Sequence, residues 1–155
     1  MKEVETGSPG EIAIKGPQVM KGYWQRPEET SKSMYGEYFL TGDVGTMDEK
    51  GFFKIVDRKK EMILVSGFNV YPNDVEKAIS ENSKVLEVGV RGEKKDDGSE
   101  FVRAFIVKKD SSLTEKEVIE FCRTKLTNYK VPKSVSFRDE LPKSNVGKIL
   151  RRLLE

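Results

Sequence analysis

The sequence has 155 residues, of which 36% are hydrophobic and 35% are charged. This length allows one ordinary domain, or one small domain with part of another, and the composition predicts a polar, soluble protein with a modest core. The 28 basic and 26 acidic residues leave a net charge of +2, which argues against general nucleic-acid binding. The longest apolar runs are too short to cross a bilayer and no signal segment is present, so we expect an intracellular protein.

Two features of the composition narrow the possible chemistry. The sequence contains no histidine and one cysteine, Cys122. This composition excludes an intrachain disulfide and a Ser-His or Cys-His nucleophile pair within the chain. It also excludes histidine acid–base catalysis and a histidine metal site. Any chemistry must depend on Lys, Arg, Asp, Glu, hydroxyl groups or backbone amides, and Cys122 is predicted to lie in the core.

The first third of the sequence predicts short strands separated by glycine-containing turns. The segment "GEIAIKG" alternates apolar with small or polar residues and predicts a half-buried strand. Pro27 and Glu28 suit the first turn of a short helix. "YFLTGD" and "FFKIVD" predict two strands that the turn "MDEKG" joins as a hairpin. The charge run "DRKKE" has no apolar period and indicates a linker or an exposed turn.

After the charge run the pattern predicts a compact α+β domain. "MILV" predicts a buried strand that ends in a loop at "SGFNVYP", and residues 72–82 predict a helix with one apolar face. "VLEVGV" and "FVRAFIV" predict two strands, and Thr114 with Glu117 predicts a capping box that begins a second helix. "VSF" is the last strand. The predicted order is β-α-β-β-α-β, with the helices packed on a small sheet.

Residues 1–57, in contrast, are not predicted to form a compact domain of their own. Their strands and turns contain few large apolar residues, so they would make a poor core by themselves. We expect this part to be the end of a larger domain.

Four motifs have the order and spacing found in the final part of acyl-CoA synthetases, which belong to the adenylate-forming superfamily. They are "GEIAIKGPQVMKGYWQRPEET", "YFLTGD", "DRKKEMILVSGFNVYPNDVE" and "LPKSNVGKILRR", and they are distributed from residue 10 to residue 152, so the resemblance covers essentially the whole chain. The "DRKKEMILVSGFNVYP" stretch most resembles bacterial long-chain fatty-acid–CoA ligases. The phosphate loop and the Tyr-Gly-x-Thr-Glu motif of the superfamily are absent from the sequence. The resemblance therefore implies the C-terminal part of such an enzyme.

The resemblance also implies a division into domains. Residues 1–59 would be the C-terminal end of the large AMP-binding domain, and residues 60–155 the small C-terminal AMP-binding-enzyme domain. A hinge is expected at about residues 57–60, with Lys60 as its pivot, because a segment with few contacts suits changes of backbone torsion. The N-terminal remainder of the large domain would pack on residues 1–57.

Asp43 and Arg58 are the candidate nucleotide-binding residues. From the pattern alone, Gly42 and Asp43 form an ordinary turn, and Arg58 is a solvated cation in a charge run. The resemblance implies that Asp43 accepts hydrogen bonds from the ribose hydroxyls and that Arg58 contacts the nucleotide. A carboxylate and a planar guanidinium fork are suited to these roles.

The candidate CoA-binding residues are Ser66, Gly67 and Phe68. From the pattern alone, Gly67 permits a positive φ after a strand. The resemblance implies that the pantetheine arm of CoA passes close to Gly67, with Ser66 and Phe68 beside it in a tunnel.

Lys148, in "PKSNVGK", is the candidate catalytic residue. From the pattern alone it is an exposed lysine on a flexible turn. The resemblance implies that its ammonium bridges the fatty-acid carboxylate and the α-phosphate of ATP, where it offsets charge in the transition state of adenylation. The neighbouring Lys143, Arg151 and Arg152 are interpreted as solvated helpers without an assigned role.

The reaction implied by the resemblance is that of an acid–thiol ligase. A long-chain fatty acid and ATP would form acyl-AMP and pyrophosphate, and CoA as cosubstrate would then form acyl-CoA and release AMP. Mg²⁺ would arrive with ATP, so no metal site made of protein ligands alone is expected. The 155-residue chain is expected to be inactive by itself.

Several alternatives stay open from the sequence. The parent enzyme could act on a medium-chain or aryl acid within the same superfamily, or the chain could be a non-catalytic interaction module. Nucleic acid is not an expected partner. The resemblance implies a cytoplasmic protein and leaves open a peripheral contact with the inner face of the membrane.

Overall fold

The structure is a computed structural model that describes residues 2–155; residue 1, which begins the predicted 1–59 domain, lies outside it. The described chain divides into two compact units between Lys60 and Glu61. We call them the first unit, which ends at Lys60, and the second unit, Glu61–Glu155.

The first unit is a small antiparallel sheet around one long strand. Its elements are β1 (Gly10–Ile14), α1 (Pro27–Ser33), β2 (Met34–Tyr35), β3 (Tyr38–Met47) and β4 (Phe53–Arg58). β1 pairs along one edge of β3, whereas β2 and β4 pair with the beginning and the end of its other edge. The predicted hairpin between "YFLTGD" and "FFKIVD" is therefore confirmed, and β3 continues four residues beyond the predicted strand to Met47.

Very little of the first unit is buried. Among its described residues, Val44 is the only hydrophobic side chain in the buried set, and Asp57 is the only buried charged residue. Phe52, Phe53 and Ile55 are 71%, 64% and 62% exposed. The sheet is held together by its backbone ladder, with almost no apolar core beneath it.

The second unit contains a three-stranded sheet, a short hairpin and two longer helices. Its elements are β5 (Ile63–Val65), β6 (Phe68–Val70), α2 (Pro72–Ser80), β7 (Val85–Lys94), β8 (Glu100–Lys108), α3 (Glu115–Lys125) and β9 (Ser134–Arg138). β7 and β8 pair antiparallel, β8 and β9 pair parallel, and β5 pairs only with β6. A parallel pair needs a crossover connection, which α3 provides.

Two hydrophobic clusters lie on opposite faces of β8, because successive side chains of a strand point to opposite faces. Ala104 and Ile106 belong to the larger cluster, which α2 covers with its buried Val75 and Ile79 and α3 with its buried Val118. Phe105 and Val107 belong to the smaller cluster, completed by Leu141, Leu154 and the half-buried Ile149. Each fully buried aliphatic side chain contributes about 1.5–3 kcal/mol, so the second unit has a core of its own.

The α+β fold class is confirmed, with one strand more than predicted. The loop predicted at "SGFNVYP" is instead a two-residue turn followed by β6, which pairs with β5. The predicted helix 72–82 ends earlier, at Ser80, where the Asn82 N–H donates to the Ile79 carbonyl at 3.0 Å and closes a tight turn. The capping box at Thr114 is present in both of its halves.

Candidate active-site residues

Asp43 and Arg58 lie directly opposite each other on the paired strands β3 and β4. The Nη1 of Arg58 is 3.0 Å from the Oδ1 of Asp43 and donates to the Thr41 carbonyl at 3.1 Å. The Thr41 hydroxyl donates to the Ile12 carbonyl at 2.9 Å and accepts from the Asp43 N–H at 3.1 Å. Strand register and the Thr41 bridge therefore fix the position of this ion pair.

The ion pair stands at the edge of an open cleft of about 570 Å³ lined by Thr41, Gly42, Arg58, Lys59 and Lys60. The Asp43 side chain is 29% exposed and the Arg58 side chain 47% exposed, so both are accessible. A carboxylate accepts hydrogen bonds from neighbouring hydroxyl groups, and a guanidinium with nearby ammonium groups attracts oxyanions. A ligand that carries both hydroxyl and phosphate groups would suit this cleft.

Lys60 lies at the boundary between the units. It is the middle residue of a 3₁₀ turn, Lys59–Glu61, and its side chain is exposed. The preceding Lys59 is tied to the first unit by an ion pair with Glu11 at 2.7 Å.

Ser66 and Gly67 form the two-residue turn that connects β5 with β6. Their φ angles are +50° and +84°, the left-handed pair that a tight type I′ hairpin turn requires, and Val65 pairs with Phe68 across the turn. Nothing lies within 4 Å of a Cβ built on Gly67. Glycine at this position therefore fulfils a backbone requirement and leaves the turn open to an approaching molecule.

Phe68 is 55% exposed and stacks on Tyr129, with 4.7 Å between ring centroids and 17° between planes. Tyr129 lies in the 3₁₀ turn Asn128–Lys130 and packs against the larger cluster. The Phe68 ring is therefore oriented by a residue that the sequence analysis did not single out. The local sequence could not predict this contact, because Phe68 and Tyr129 are 61 positions apart in the chain.

Lys148 lies on a short hairpin closed by backbone hydrogen bonds. The Ser144 N–H donates to the Lys148 carbonyl at 2.8 Å, and the Gly147 N–H donates to the Ser144 carbonyl at 2.8 Å. Gly147 has φ +79°, which completes a tight turn with one bulged residue, and Lys143 pairs with Ile149 at its base. We call residues 143–149 the lysine hairpin. It presents an exposed Lys148 side chain on a hydrogen-bonded backbone.

The interpretation of Arg151 as a solvated helper is wrong. Its side chain is only 12% exposed and forms ion pairs with Glu61 at 2.6 Å and with Glu76 at 2.5 Å. Lys143 is also paired, with Glu87 at 2.5 Å, whereas Arg152 is exposed as expected. The burial of Arg151 was not predictable from the local sequence, because two consecutive arginines resemble an ordinary charged surface.

The predicted site residues are distributed over both units. Asp43, Arg58 and Lys60 belong to the first unit, whereas Ser66, Gly67, Phe68 and Lys148 belong to the second. Within the first unit, the structure brings Asp43 and Arg58 into direct contact.

Cys122 is fully buried on α3, and its burial raises the pKa of the thiol to about 11. It is therefore protonated at neutral pH and is no nucleophile. No group of three or more histidine, cysteine or carboxylate side chains within residues 2–155 is arranged to hold a metal ion. No helix in this same range is both long and apolar enough to span a membrane.

The chain matches known sequences over nearly its whole length. It is 59% identical over 152 residues to the long-chain-fatty-acid–CoA ligase of Escherichia coli O6:H1, a match that covers 98% of this chain. The chain spans only 27% of the length of that relative. The AMP-binding enzyme C-terminal domain family matches residues 74–148.

Solved structures share the fold. ATP-bound MatB from Rhodopseudomonas palustris superposes with a TM-score of 0.91 at 37% identity, over 98% of this chain and 31% of that one. The o-succinylbenzoate–CoA synthetase of Bacillus subtilis, in complex with ATP and magnesium, gives a TM-score of 0.87 at 32% identity, over 99% of this chain and 32% of that one. Residues 74–148 therefore match an AMP-binding enzyme C-terminal domain, and the chain is similar to the C-terminal part of long-chain fatty-acid–CoA ligases.

Proposed function

We propose that the chain is the part of an ATP-dependent long-chain fatty-acid–CoA ligase that supplies residues to both half-reactions. The observation that carries this proposal is the 59% identity to such a ligase over 98% of the chain. Identity to the 2-succinylbenzoate–CoA ligase of Geobacillus kaustophilus is lower, 44% over 94% of the chain, so a long-chain substrate is favoured over an aryl acid. The acid would be adenylated by ATP, with release of pyrophosphate, and the acyl group would then pass to the CoA thiol, with release of AMP.

In the first half-reaction, Lys148 is the proposed catalytic residue. Its ammonium would lie between the fatty-acid carboxylate and the α-phosphate of ATP, two groups that repel each other before they react. A fixed cation at this position stabilises the charge of the transition state more than that of the bound substrates. The exposure of Lys148 on a hydrogen-bonded hairpin, next to its turn, supports this role.

Asp43 and Arg58 are the proposed nucleotide-binding residues. Asp43 would accept hydrogen bonds from the ribose hydroxyls, and Arg58 would contact a nucleotide oxygen while it orients Asp43. Their ion pair at 3.0 Å on adjacent strands supports a preformed site. ATP enters with Mg²⁺ on its phosphates as part of the substrate.

In the second half-reaction, the Ser66–Gly67 turn is the proposed path for CoA. The open space around Gly67 allows a thin chain such as pantetheine to pass against the backbone, and Phe68 offers an exposed apolar ring beside it. We propose that rotation about Lys60 exchanges the lysine hairpin for this turn at the reacting centre. The position of Lys60 in a short 3₁₀ turn between the two units supports a hinge.

The exposed apolar side chains of the first unit support packing against the rest of a large domain. Trp24 is 86% exposed, and Phe52, Phe53 and Ile55 lie on or beside β4 without apolar cover from their own unit. Such surface is typical of an interface that is incomplete in isolation. The 155-residue chain alone would therefore have no ligase activity, since it also lacks a phosphate loop.

The proposal includes a cytoplasmic ligase that touches the inner face of the membrane peripherally. A long acyl chain partitions into a bilayer, so an enzyme that acts on it gains from contact with the lipid surface.

The proposal is tested by timing each half-reaction separately in the full-length ligase. Replacing Lys148→Ala should slow acyl-AMP formation about a hundredfold or more, because a transition-state charge contact is lost. Thioester formation from pre-made acyl-AMP and CoA should change much less, since Lys148 would then be rotated away. Equal losses in the two steps would contradict the assigned role. The 155-residue chain, incubated with ATP, Mg²⁺, palmitate and CoA, should form no acyl-CoA above a protein-free control.

A further inference from the structure

We propose that Arg151 is a positioning residue for adenylation: it locks the lysine hairpin to the first residue that follows the Lys60 hinge. This inference rests on the proposed function of Lys148. It assigns a role to a side chain that would touch neither substrate nor nucleotide.

The Arg151 guanidinium is held from several directions. Its Nε and Nη2 donate to the two oxygens of Glu76, at 2.7 and 2.5 Å, which is a bidentate pairing. Its Nη1 donates to Glu61 at 2.6 Å, and Nη2 also donates to the Asn73 side-chain oxygen. The fork therefore ties together the chain after the lysine hairpin, the helix α2 and the start of the second unit.

This network is stronger than an ordinary surface ion pair. Exposed pairs contribute little, but the Arg151, Glu76 and Glu61 side chains are only 12%, 19% and 31% exposed. Two carboxylates share one guanidinium, so removal of Arg151 would leave two neighbouring negative charges without their common partner. A lysine could not replace the fork, because an ammonium cannot make the same planar, bidentate contact.

The network acts close to Lys148 along the chain. Arg151 follows Lys148 by three residues, and between them the Leu150 N–H donates to the Pro142 carbonyl at 2.8 Å. In the chain, Lys148 therefore lies between the backbone hydrogen bonds that close its hairpin and the Arg151 fork. At the other end of the network, Glu61 directly follows Lys60 in the 3₁₀ turn.

A rigid link from the hinge to the catalytic lysine follows from these contacts. Glu76 also accepts from the Val90 N–H at 2.8 Å, so the fork is connected to β7 as well as to α2. A change of backbone torsion at Lys60 would then move the lysine hairpin as a rigid body together with Glu61 and α2. Misplacement of a reacting group by about 1 Å can reduce a rate about a hundredfold, so this rigidity matters for the step that uses Lys148.

The test uses the full-length ligase and the two half-reactions measured separately. Replacing Arg151→Gln should slow acyl-AMP formation about tenfold or more, and Glu61→Ala should slow it by a smaller factor. Thioester formation from pre-made acyl-AMP should stay within about twofold for both variants, because it does not use Lys148. Arg151→Lys should restore only part of the adenylation rate.

Arg103→Gln is the matched control. Arg103 pairs with Glu93 at 2.7 Å and is 27% exposed, but it lies on β8, away in sequence from both the hinge and the lysine hairpin. Its replacement should lower stability without a selective loss of adenylation. Equal slowing of both steps by the Arg151 and Glu61 variants, or a selective loss in the control, would overturn the proposal.

The double variant Arg151→Gln with Lys148→Ala isolates the mechanism. If Arg151 acts through Lys148, the double variant should form acyl-AMP no more slowly than Lys148→Ala alone. Additive losses would show that Arg151 acts independently and would sink the inference. If Arg151→Gln fails to fold, Glu61→Ala and its double variant with Lys148→Ala decide by the same criteria. A Lys148→Ala variant with no selective effect would instead contradict the proposed function itself.

Discussion

Two reasons for a glycine at position 67 cannot be distinguished from the sequence alone: the backbone conformation of the Ser66–Gly67 turn and the passage of a ligand. Its glycine has φ +84°, so any other residue at position 67 strains the backbone, whether or not a ligand passes by. The empty space around a Cβ at Gly67 shows that no neighbouring protein atom forbids a side chain there. A functional role for Gly67 must therefore be measured against a glycine with the same backbone strain and no role.

Gly98 provides that comparison. It has φ +78° in the turn between β7 and β8, and nothing lies within 4 Å of a Cβ built on it. In the full-length ligase, Gly67→Leu and Gly98→Leu should lower the free energy of unfolding by similar amounts. Only Gly67→Leu should slow thioester formation from acyl-AMP, because leucine would obstruct the proposed path of pantetheine. Pyrophosphate release should be largely intact. Similar kinetics for the two variants would show that Gly67 serves the fold alone.

The motifs singled out candidate site residues but did not indicate which distant side chains contact the segments that carry them. Asp43, Arg58 and Lys148 stand out because each lies in a short recognisable stretch. The contacts of Arg151 do not stand out, because Glu76 and Glu61 lie 75 and 90 residues before it in the chain. Partners at such distances are brought together only by the packing of α2 and the end of the chain on the same core.

At the scale of an element, the start of α3 is a feature that the local sequence is sufficient to predict. The Thr114 hydroxyl accepts from the Glu117 N–H at 3.3 Å, and Glu117 accepts from the Thr114 N–H at 2.9 Å. This reciprocal pattern is contained in four consecutive residues, so the sequence predicted it correctly.

The capping box gives a prediction for stability. Thr114→Ala should lower the free energy of unfolding by about 1 kcal/mol, as measured by urea unfolding followed by helical circular dichroism. Thr124→Ala is the control, because Thr124 donates to the Phe121 carbonyl near the other end of the same helix and should change stability by no more than about 0.5 kcal/mol.

The effect of Thr114→Ala should depend on pH. Hydrogen bonds from Lys84 and Thr114 lower the pKa of Glu117 below its ordinary 4.5. A lowered pKa means that the ionised carboxylate stabilises the folded state above pH 4.5 and that this contribution is lost as pH falls through the lowered pKa. The difference between the variant and the wild type should therefore shrink in acid. A constant difference down to strongly acidic pH would contradict the reciprocal pairing.

β6 is an element that the local sequence is not sufficient to predict. The strand has three residues, which is too short for an alternating pattern to be recognised. Its turn has serine at the first left-handed position, where asparagine or aspartate would be the usual signal of a type I′ hairpin. The strand exists because Val70 is fully buried in the larger cluster and pairs with Ile63, which is a tertiary cause.

At the scale of the whole molecule, the two units differ in how much core each contains. Buried hydrophobic residues lie almost entirely after residue 60, with Val44 the exception among the described residues. In the isolated 155-residue chain, amides of β7, β8 and α3 should exchange slowly with solvent, and those of β1, β3 and β4 much faster. The full-length ligase is the control, since its remaining domain should protect the first unit. Equal protection of both units in the isolated chain would show that the first unit folds unaided.

The parallel pairing of β9 with β8 also sets an order of events in folding. β7 and β8 are joined by a short turn, so they can form a hairpin early, with little loss of chain entropy. β9 pairs with β8 only after the chain has passed through α3. This pairing must therefore close a longer loop, the segment between Lys108 and Ser134. The hairpin and α2 are therefore expected to form a nucleus to which α3 and β9 are added late. Destabilising substitutions in β7 and β8 should therefore lower the folding rate. Destabilising substitutions in β9 should mainly raise the unfolding rate.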